Sequence, residues 1–156
     1  AGERFARVSV REIVDDCLDE CSTETDRAVS VTLDDATAAA TTALPRHAFG
    51  QALRGLVDNA RQASPAGAPV SLRVAAQGHP GRLVFEIADR GAGISPDLLA
   101  RVGEPFFTTK PAGQGMGLGI FLARAVVERL GGELSIRSVP GAGTTATLWL
   151  PVAGAP

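Results

Sequence analysis

The chain has 156 residues and a formal net charge of −2, with 45% hydrophobic and 21% charged residues. This composition predicts a single folded domain over residues 1–156 and excludes a disordered tail. Lys and Arg number 15 against 17 Asp and Glu, so nothing favours binding to a nucleic acid. No apolar run reaches the roughly 18 residues that a membrane span needs, and no secretory leader is visible.

Two cysteines, Cys17 and Cys21, lie four residues apart in a predicted helix. That spacing is a poor match to disulfide geometry, and no second Cys or His pair completes a zinc site. The sequence therefore predicts two reduced thiols and a cytoplasmic setting.

The first third of the chain predicts short strands around one helix. Residues 7–10 have the character of a strand, and apolar residues at helical spacing predict a helix over 11–21. Residues 29–33 alternate as a strand does. The Ala- and Thr-rich run 36–44 is ambiguous, and its threonines, together with the following Pro45, favour a short edge strand.

The rest of the chain predicts helices alternating with hairpins. A long helix begins at Arg46 and stops at residues 64–67. The further elements are strands over 70–74 and 83–87, a short helix capped by Ser95 and running to Val102, a helix over 118–130, and strands over 133–137 and 145–150. This pattern indicates an α+β fold, a two-layer sandwich in which helices cover one face of a mixed, mostly antiparallel sheet.

Two polar residues stand out against this framework. Asn59 lies at the border of the apolar stripe of the long helix, where its amide oxygen could bind a hard cation such as Mg²⁺. Asp89 directly follows a strand and precedes Gly91 and Gly93, so its carboxylate could accept an exocyclic amine while the glycines admit a planar ring. The alternatives are a solvated Asn at the helix rim and an ordinary turn.

A glycine-rich run and an aromatic pair form the other unusual segments. Residues 113–120 carry four glycines before a helix, an arrangement that favours anionic oxygens, although a flexible hinge is the alternative. The run lacks the Lys-Ser or Lys-Thr pair of the Walker loop and does not directly follow a strand. Phe106, Phe107 and Lys110 lie in a long irregular stretch over 103–116, which predicts a functional or mobile loop.

In this order and spacing, the segments resemble the nucleotide-binding domain of two-component sensor histidine kinases. The wider superfamily also holds DNA gyrase, heat-shock chaperone ATPases and MutL-type repair proteins. The residues that carry the resemblance are 53–63 (N box), 89–94, 113–120 and 141–144 (glycine boxes) and 104–110 (F box). The resemblance implies a Bergerat-type ATP-binding fold with ATP and Mg²⁺ as cofactors.

The resemblance also implies a role for each matching residue. Asn59 would bind the Mg²⁺ that bridges the triphosphate, and Asp89 would accept the adenine amino group. Lys110 would belong to the lid over the nucleotide. The base pocket would include Gly91, Gly93, Ile94 and, through water, Thr144; the phosphates would be held by Gly115, Gly117, Leu118 and Gly119.

Three positions depart from the family pattern. Gly55 stands where many of these kinases have a second Asn, Gln62 where a basic residue is common, with Arg61 as a possible substitute, and Gly103 where the F box has its first aromatic. In the gyrase and chaperone branches, a Glu at the position of Gly55 activates water. Because glycine offers no base, the sequence predicts phosphoryl transfer to an acceptor rather than fast hydrolysis.

The acceptor is expected outside this chain. Its two histidines, His47 and His79, do not lie in a His-Glu or His-Asp pair on a long helix. The resemblance implies a helical dimerisation and phosphoacceptor domain in a longer sensor kinase, which could be membrane-bound, and a response regulator downstream. A serine-kinase or anti-sigma-type regulator and a degenerate, non-enzymatic interaction domain are the alternatives.

Overall fold

The computed structural model describes residues 3–21, 29–65, 68–78, 81–102, 104 and 119–152, without the side chains of residues 19–21. The predicted loop over 103–116 therefore lies outside the described residues except for Glu104. So do Lys110, Gly115, Gly117 and Leu118, whose predicted roles stay predictions.

Twelve helices and strands make up the described ranges. In chain order they are β1 (Ala6–Ser9), α1 (Val10–Cys21), β2 (Val29–Thr32), α2 (Asp35–Ala39), β3 (Thr41–Leu44), α3 (Arg46–Ala63), β4 (Val70–Gln77), β5 (Arg82–Ala88), α4 (Pro96–Leu99), α5 (Gly119–Arg129), β6 (Glu133–Val139) and β7 (Gly143–Pro151).

The main sheet has five strands in the order β2-β4-β5-β7-β6. Only β2 and β4 pair in parallel, and the other neighbours are antiparallel. Helix α3 packs on β4 and β5 and lies between α1 and α5, so the helices cover one face of the sheet. The predicted two-layer α+β architecture is confirmed. A separate antiparallel pair, β1 and β3, was not foreseen as a second sheet.

The ambiguous run over 36–44 contains two elements rather than one edge strand. Asp34 accepts a hydrogen bond from the Thr37 backbone N–H at 2.7 Å and caps the short helix α2. The strand β3 occupies only the second half of the run. The strand prediction was wrong for the first half because a single Asp cap and a run of alanines are enough for one turn of helix.

The short helix α4 also differs from its prediction. Ser95 occupies the N-cap position with extended backbone, but its side chain makes no capping hydrogen bond. The α-helix ends at Leu99, and residues 101 and 102 continue as a tighter turn, donating to carbonyls three residues back. The predicted helix was therefore one turn too long.

The buried faces of α1 and α3 meet in the core. Cys17 of α1 is 1% exposed there, which places this thiol among apolar side chains, while the side chain of Cys21 lies outside the described residues. No helix within the described ranges is long and apolar enough to cross a membrane.

An acidic residue from the start of the chain, Glu3, caps the first turn of α3. Pro45 at its N-cap has no side-chain hydrogen bond to give. Instead the Glu3 carboxylate accepts bonds from the backbone N–H groups of His47 and Ala48, at 2.7 and 2.9 Å. These bonds, the His47 one foremost, lower the pKa of Glu3. A residue 44 positions earlier therefore serves as the cap.

Arg46 joins α3 to α1 through two carboxylates. Its guanidinium donates to both oxygens of Asp16, at 2.7 and 3.0 Å, and to Glu12 at 2.9 Å. Glu12 also accepts from Ser9 and completes a capping box at the start of α1. The hydrogen bond from Arg46 lowers the pKa of Asp16, so this pair contributes stability only while the carboxylate is ionised.

We expect Asp16→Asn to lower the melting temperature at pH 7 by about 1–2 °C, because the pair is partly exposed. Since folding lowers the pKa of Asp16, its contribution is complete above the unfolded pKa and is lost as the pH falls through the folded value. Thermal unfolding at pH 7 and pH 3 tests this, with Asp15→Asn, an exposed neighbour on α1, as the control. An equal loss at both pH values would contradict the assignment.

Candidate functional site

Asn59 lies on α3 at the edge of the buried stripe of that helix. The side chain is half-buried, between the core-facing residues and the exposed face. A methyl group placed on Gly119, the first described residue of α5, would lie 3.3 Å from Asn59 Nδ2 and 3.9 Å from Oδ1. The amide therefore faces the first turn of α5, at Gly119, the last glycine of the predicted glycine-rich run.

Asp89 follows β5 on the side of the sheet that the helices cover. Leu83, Phe85 and Ile87 are buried on that side, and Asp89 continues their alternation. Its Oδ1 accepts hydrogen bonds from the backbone N–H groups of Gly91 and Thr144, at 2.9 and 3.2 Å. Oδ2 accepts no hydrogen bond from the part of the chain that the structure describes.

The turn after Asp89 is held between a helix end and a hairpin. A methyl group on Gly91 would overlap the carbonyl oxygen of Ala63 at the end of α3. Gly93 has φ +76° and lies against the Val139 carbonyl, where any side chain would collide. These two glycines are required for close approach and for a left-handed backbone, respectively.

Ser138 ties the same turn to the hairpin of β6 and β7. Its hydroxyl accepts from the Ile94 backbone N–H at 2.7 Å and lies 2.8 Å from the hydroxyl of Thr144, its partner across the hairpin. Sequence reasoning missed Ser138. The signal that could have found it is hairpin register: the observed turn covers 140–142, one residue before the predicted turn at 141–143, and this register sets Ser138 opposite Thr144.

The contacts bring the described candidate residues to one side of the molecule. Ala63 follows Asn59 by one helical turn, so the two share a face of α3. The Asp89 turn packs against Ala63, and the start of α5 packs against Asn59. Six of the predicted residues belong to this arrangement: Asn59, Asp89, Gly91, Gly93, Gly119 and Thr144. Ile94 joins it through Ser138.

Two of the departures from the family pattern can be located on α3. A side chain at Gly55, one turn before Asn59, would meet nothing within 4 Å. Arg61 is buried and its Nη1 lies 3.8 Å from Asp58 Oδ1. Because it follows Asn59 by two residues, it points roughly 200° away around the helix. The backbone of Arg61 therefore lies on a different face of α3 from Asn59, its guanidinium pairs with Asp58, and Gln62 is exposed.

The possible metal ligands among the described residues suit a metal ion that is already bound to phosphates and water. Among the described residues, no three His, Cys, Asp or Glu side chains are grouped to hold an ion. Asn59 offers one neutral amide oxygen, a hard ligand of the kind that Mg²⁺ accepts. Mg²⁺ keeps several waters and is commonly bound through substrate phosphates, so the site fits a metal–triphosphate complex better than a free ion.

Residues 45–154 match the histidine kinase-, DNA gyrase B- and HSP90-like ATPase family. The chain belongs to this family. The match begins at the N-cap of α3 and runs through β7, so it includes both Asn59 and the Asp89 turn.

Among curated proteins, the chain is similar to sensor kinases. It is 44% identical over 114 residues to the histidine protein kinase DivJ of Caulobacter vibrioides, covering 71% of this chain and 19% of DivJ. It is 39% identical over 116 residues to the sensor kinase CckA of Brucella abortus, covering 66% of this chain and 12% of CckA. The chain thus spans less than a fifth of the length of these relatives.

Solved structures extend the similarity to the whole fold. The mycobacterial sensor histidine kinase MprB matches with a TM-score of 0.76 and 28% identity, covering 94% of this chain and 97% of that one. Full-length ShkA, solved in complex with AMPPNP, matches with a TM-score of 0.74 and 25% identity, covering 99% of this chain and 32% of ShkA. The family fold therefore includes β1 to β3, before the matched residues.

We expect Gly91→Ala to weaken nucleotide binding at least about tenfold, the equivalent of 1.4 kcal/mol, because its methyl group would push the Asp89 turn away from α3. Calorimetric titration with AMPPNP and thermal unfolding measure the effect. Gly50→Ala is the matched control, since a side chain there meets nothing within 4 Å. It should keep the affinity and stabilise α3 by about 0.5–1 kcal/mol. Equal affinities in the two variants would contradict the contact's role.

Proposed function

We propose that this domain binds Mg-ATP and donates the γ-phosphoryl group to a histidine on a separate helical dimerisation domain of a longer sensor kinase. A response regulator would then receive the phosphoryl group in two-component signalling. The observation that supports the proposal is that the Asp89 turn packs against Ala63, one helical turn after Asn59 on α3. The similarity to proteins named sensor histidine kinases supports the choice of acceptor.

The chemistry of the two groups suits the two ends of ATP. Asp89 Oδ2 is an acceptor suited to the adenine amino group, and the Asn59 oxygen is a ligand for Mg²⁺ at the triphosphate. The start of α5 lies beside Asn59, and the partial positive charge of a helix N-terminus stabilises phosphate oxygens. Lys110, Gly115, Gly117 and Leu118 would add their predicted contacts to the phosphates.

Transfer to another protein is favoured over rapid hydrolysis. The helix position one turn before Asn59 is Gly55, which carries no group that could take a proton from water. The bound Mg²⁺ would neutralise charge on the triphosphate, and the domain would act by holding the γ-phosphate in line with an incoming nucleophile.

Asn59→Ala should reduce the affinity for AMPPNP at least about tenfold in the presence of Mg²⁺, and much less in EDTA, because the variant lacks the amide ligand. Calorimetric titrations under the two conditions measure the difference. Gln51→Ala removes an exposed amide from the same helix and should change neither value. A loss of equal size with and without Mg²⁺ would contradict the role of Asn59 as a metal ligand.

Phosphoryl transfer is tested by adding a dimeric helical domain that carries an acceptor histidine, together with radiolabelled Mg-ATP. We expect label on the acceptor that is stable to base and lost in acid, and no label when the acceptor histidine is replaced. The domain alone should release inorganic phosphate slowly. Acid-stable phosphoserine on a partner would favour the serine-kinase alternative, and no nucleotide binding at millimolar concentration would favour the non-enzymatic one.

A further inference from the structure

Ser138 and Thr144 form a polar pair at the end of the hairpin beside Asp89. They face each other across β6 and β7 in register, and both continue the core-facing alternation of their strands. The core members of that alternation are Leu134, Ala146 and Leu148. The pair is therefore on the helix-covered side of the sheet, as Asp89 is. The Thr144 N–H donates to Asp89 Oδ1 at 3.2 Å, which joins the pair to the carboxylate.

The Ser138 hydroxyl makes three polar contacts. It lies 2.7 Å from the Ile94 backbone nitrogen, 2.8 Å from Thr144 Oγ1 and 3.1 Å from the Gly143 carbonyl oxygen. All three separations are within the range of hydrogen bonds. A hydroxyl can make three such bonds because it has one proton to donate and two lone pairs to accept.

The chemistry of the partners decides the direction of each bond. The Ile94 N–H can only donate, and the Gly143 carbonyl can only accept. Ser138 therefore donates its one hydrogen bond to the Gly143 carbonyl and accepts a hydrogen bond from the Ile94 N–H. The contact with Thr144 is then a hydrogen bond only if Thr144 is the donor. This is the one arrangement in which each of the three contacts is a hydrogen bond.

Once the Thr144 hydroxyl donates its hydrogen bond to Ser138, its oxygen can only accept, whether from a ligand or from the water that the resemblance implies beside the base. The neighbouring Asp89 carboxylate is also an acceptor only when it is ionised. The side-chain oxygens of Asp89 and Thr144 therefore present acceptors without a donor. Adenine carries an amino group at the position where guanine carries a keto oxygen, so this pair of acceptors matches adenine and disfavours guanine.

We propose that Ser138 is a positioning residue for purine selection: by accepting the hydrogen bond of the Thr144 hydroxyl, it leaves only hydrogen-bond acceptors on the side chains of Asp89 and Thr144 that face the base. This inference rests on the proposed function, since it concerns the base of the nucleotide that the site would bind. Without the Ser138 oxygen, the Thr144 hydroxyl can turn and donate to a keto oxygen. The ratio of adenine to guanine affinity should then fall.

A purely structural role for Ser138 makes a different prediction. If Ser138 only held the turn through Ile94, its loss would weaken both nucleotides by the same factor and leave the ratio unchanged. The affinity ratio therefore distinguishes a role of Ser138 in purine selection from a role in holding the turn. Thr144 provides a second test, because the effect of Ser138 on the ratio should require the Thr144 hydroxyl.

The experiment is calorimetric titration of the domain with AMPPNP and with GMPPNP, both with Mg²⁺. For Ser138→Ala we expect the AMPPNP to GMPPNP affinity ratio to fall about five- to tenfold, the effect of one or so hydrogen bonds. Ser135→Ala, on the exposed face of the same strand, should leave it unchanged. Thr144→Val should lower the ratio, and Ser138→Ala should lower it no further in that background.

An unchanged ratio in Ser138→Ala, or equal additional losses in the Thr144→Val background, would overturn the inference. If Ser138→Ala does not fold, Ser138→Cys and Ser138→Thr decide: sulfur is only a weak acceptor, so the first should lower the ratio, and the second keeps the hydroxyl and should not. If the wild-type domain binds AMPPNP and the Ser138→Ala variant keeps the wild-type affinity ratio, this inference alone is contradicted. A wild-type domain that binds neither nucleotide overturns the proposed function as well.

Discussion

The candidate site depends on one close backbone contact, between Gly91 and the carbonyl of Ala63. A methyl group at residue 91 would overlap that oxygen, so only glycine lets the Asp89 turn lie against the end of α3. The contact fixes the strand that carries the carboxylate relative to the helix that carries Asn59. Helix α3 packs on β4 and β5. Gly91 determines how closely the Asp89 turn approaches the end of this helix.

Hydrogen bonds then orient the carboxylate within this frame. Asp89 Oδ1 accepts from the backbone at residues 91 and 144, and Ser138 links Ile94 to Thr144. Two of these bonds, from Ile94 to Ser138 and from Thr144 to Asp89, join the first glycine turn to the β6–β7 hairpin, far away in sequence. Because two backbone donors hold Oδ1, the direction of the carboxylate is set before a ligand binds, which reduces the ordering that binding must impose.

The sequence predicted the fold class and the helix that carries Asn59, since long periodic segments and alternating strands determine both. It failed for the first half of residues 36–44, where one Asp cap outweighs the threonines. It also missed the bond from Ile94 to Ser138 and the cap from Glu3 to α3, because each joins residues 44 positions apart. The role of Arg61 was also left open, and only the structure shows that its guanidinium pairs with Asp58.

The most direct test of the account is a crystal structure of this domain with AMPPNP and Mg²⁺. The account predicts the adenine amino group within hydrogen-bonding distance of Asp89 Oδ2 and, in the same molecule, Mg²⁺ coordinated by the Asn59 amide oxygen and by the phosphates. Nucleotide density on another face, or a nucleotide that touches one of these two side chains and not the other, would contradict it.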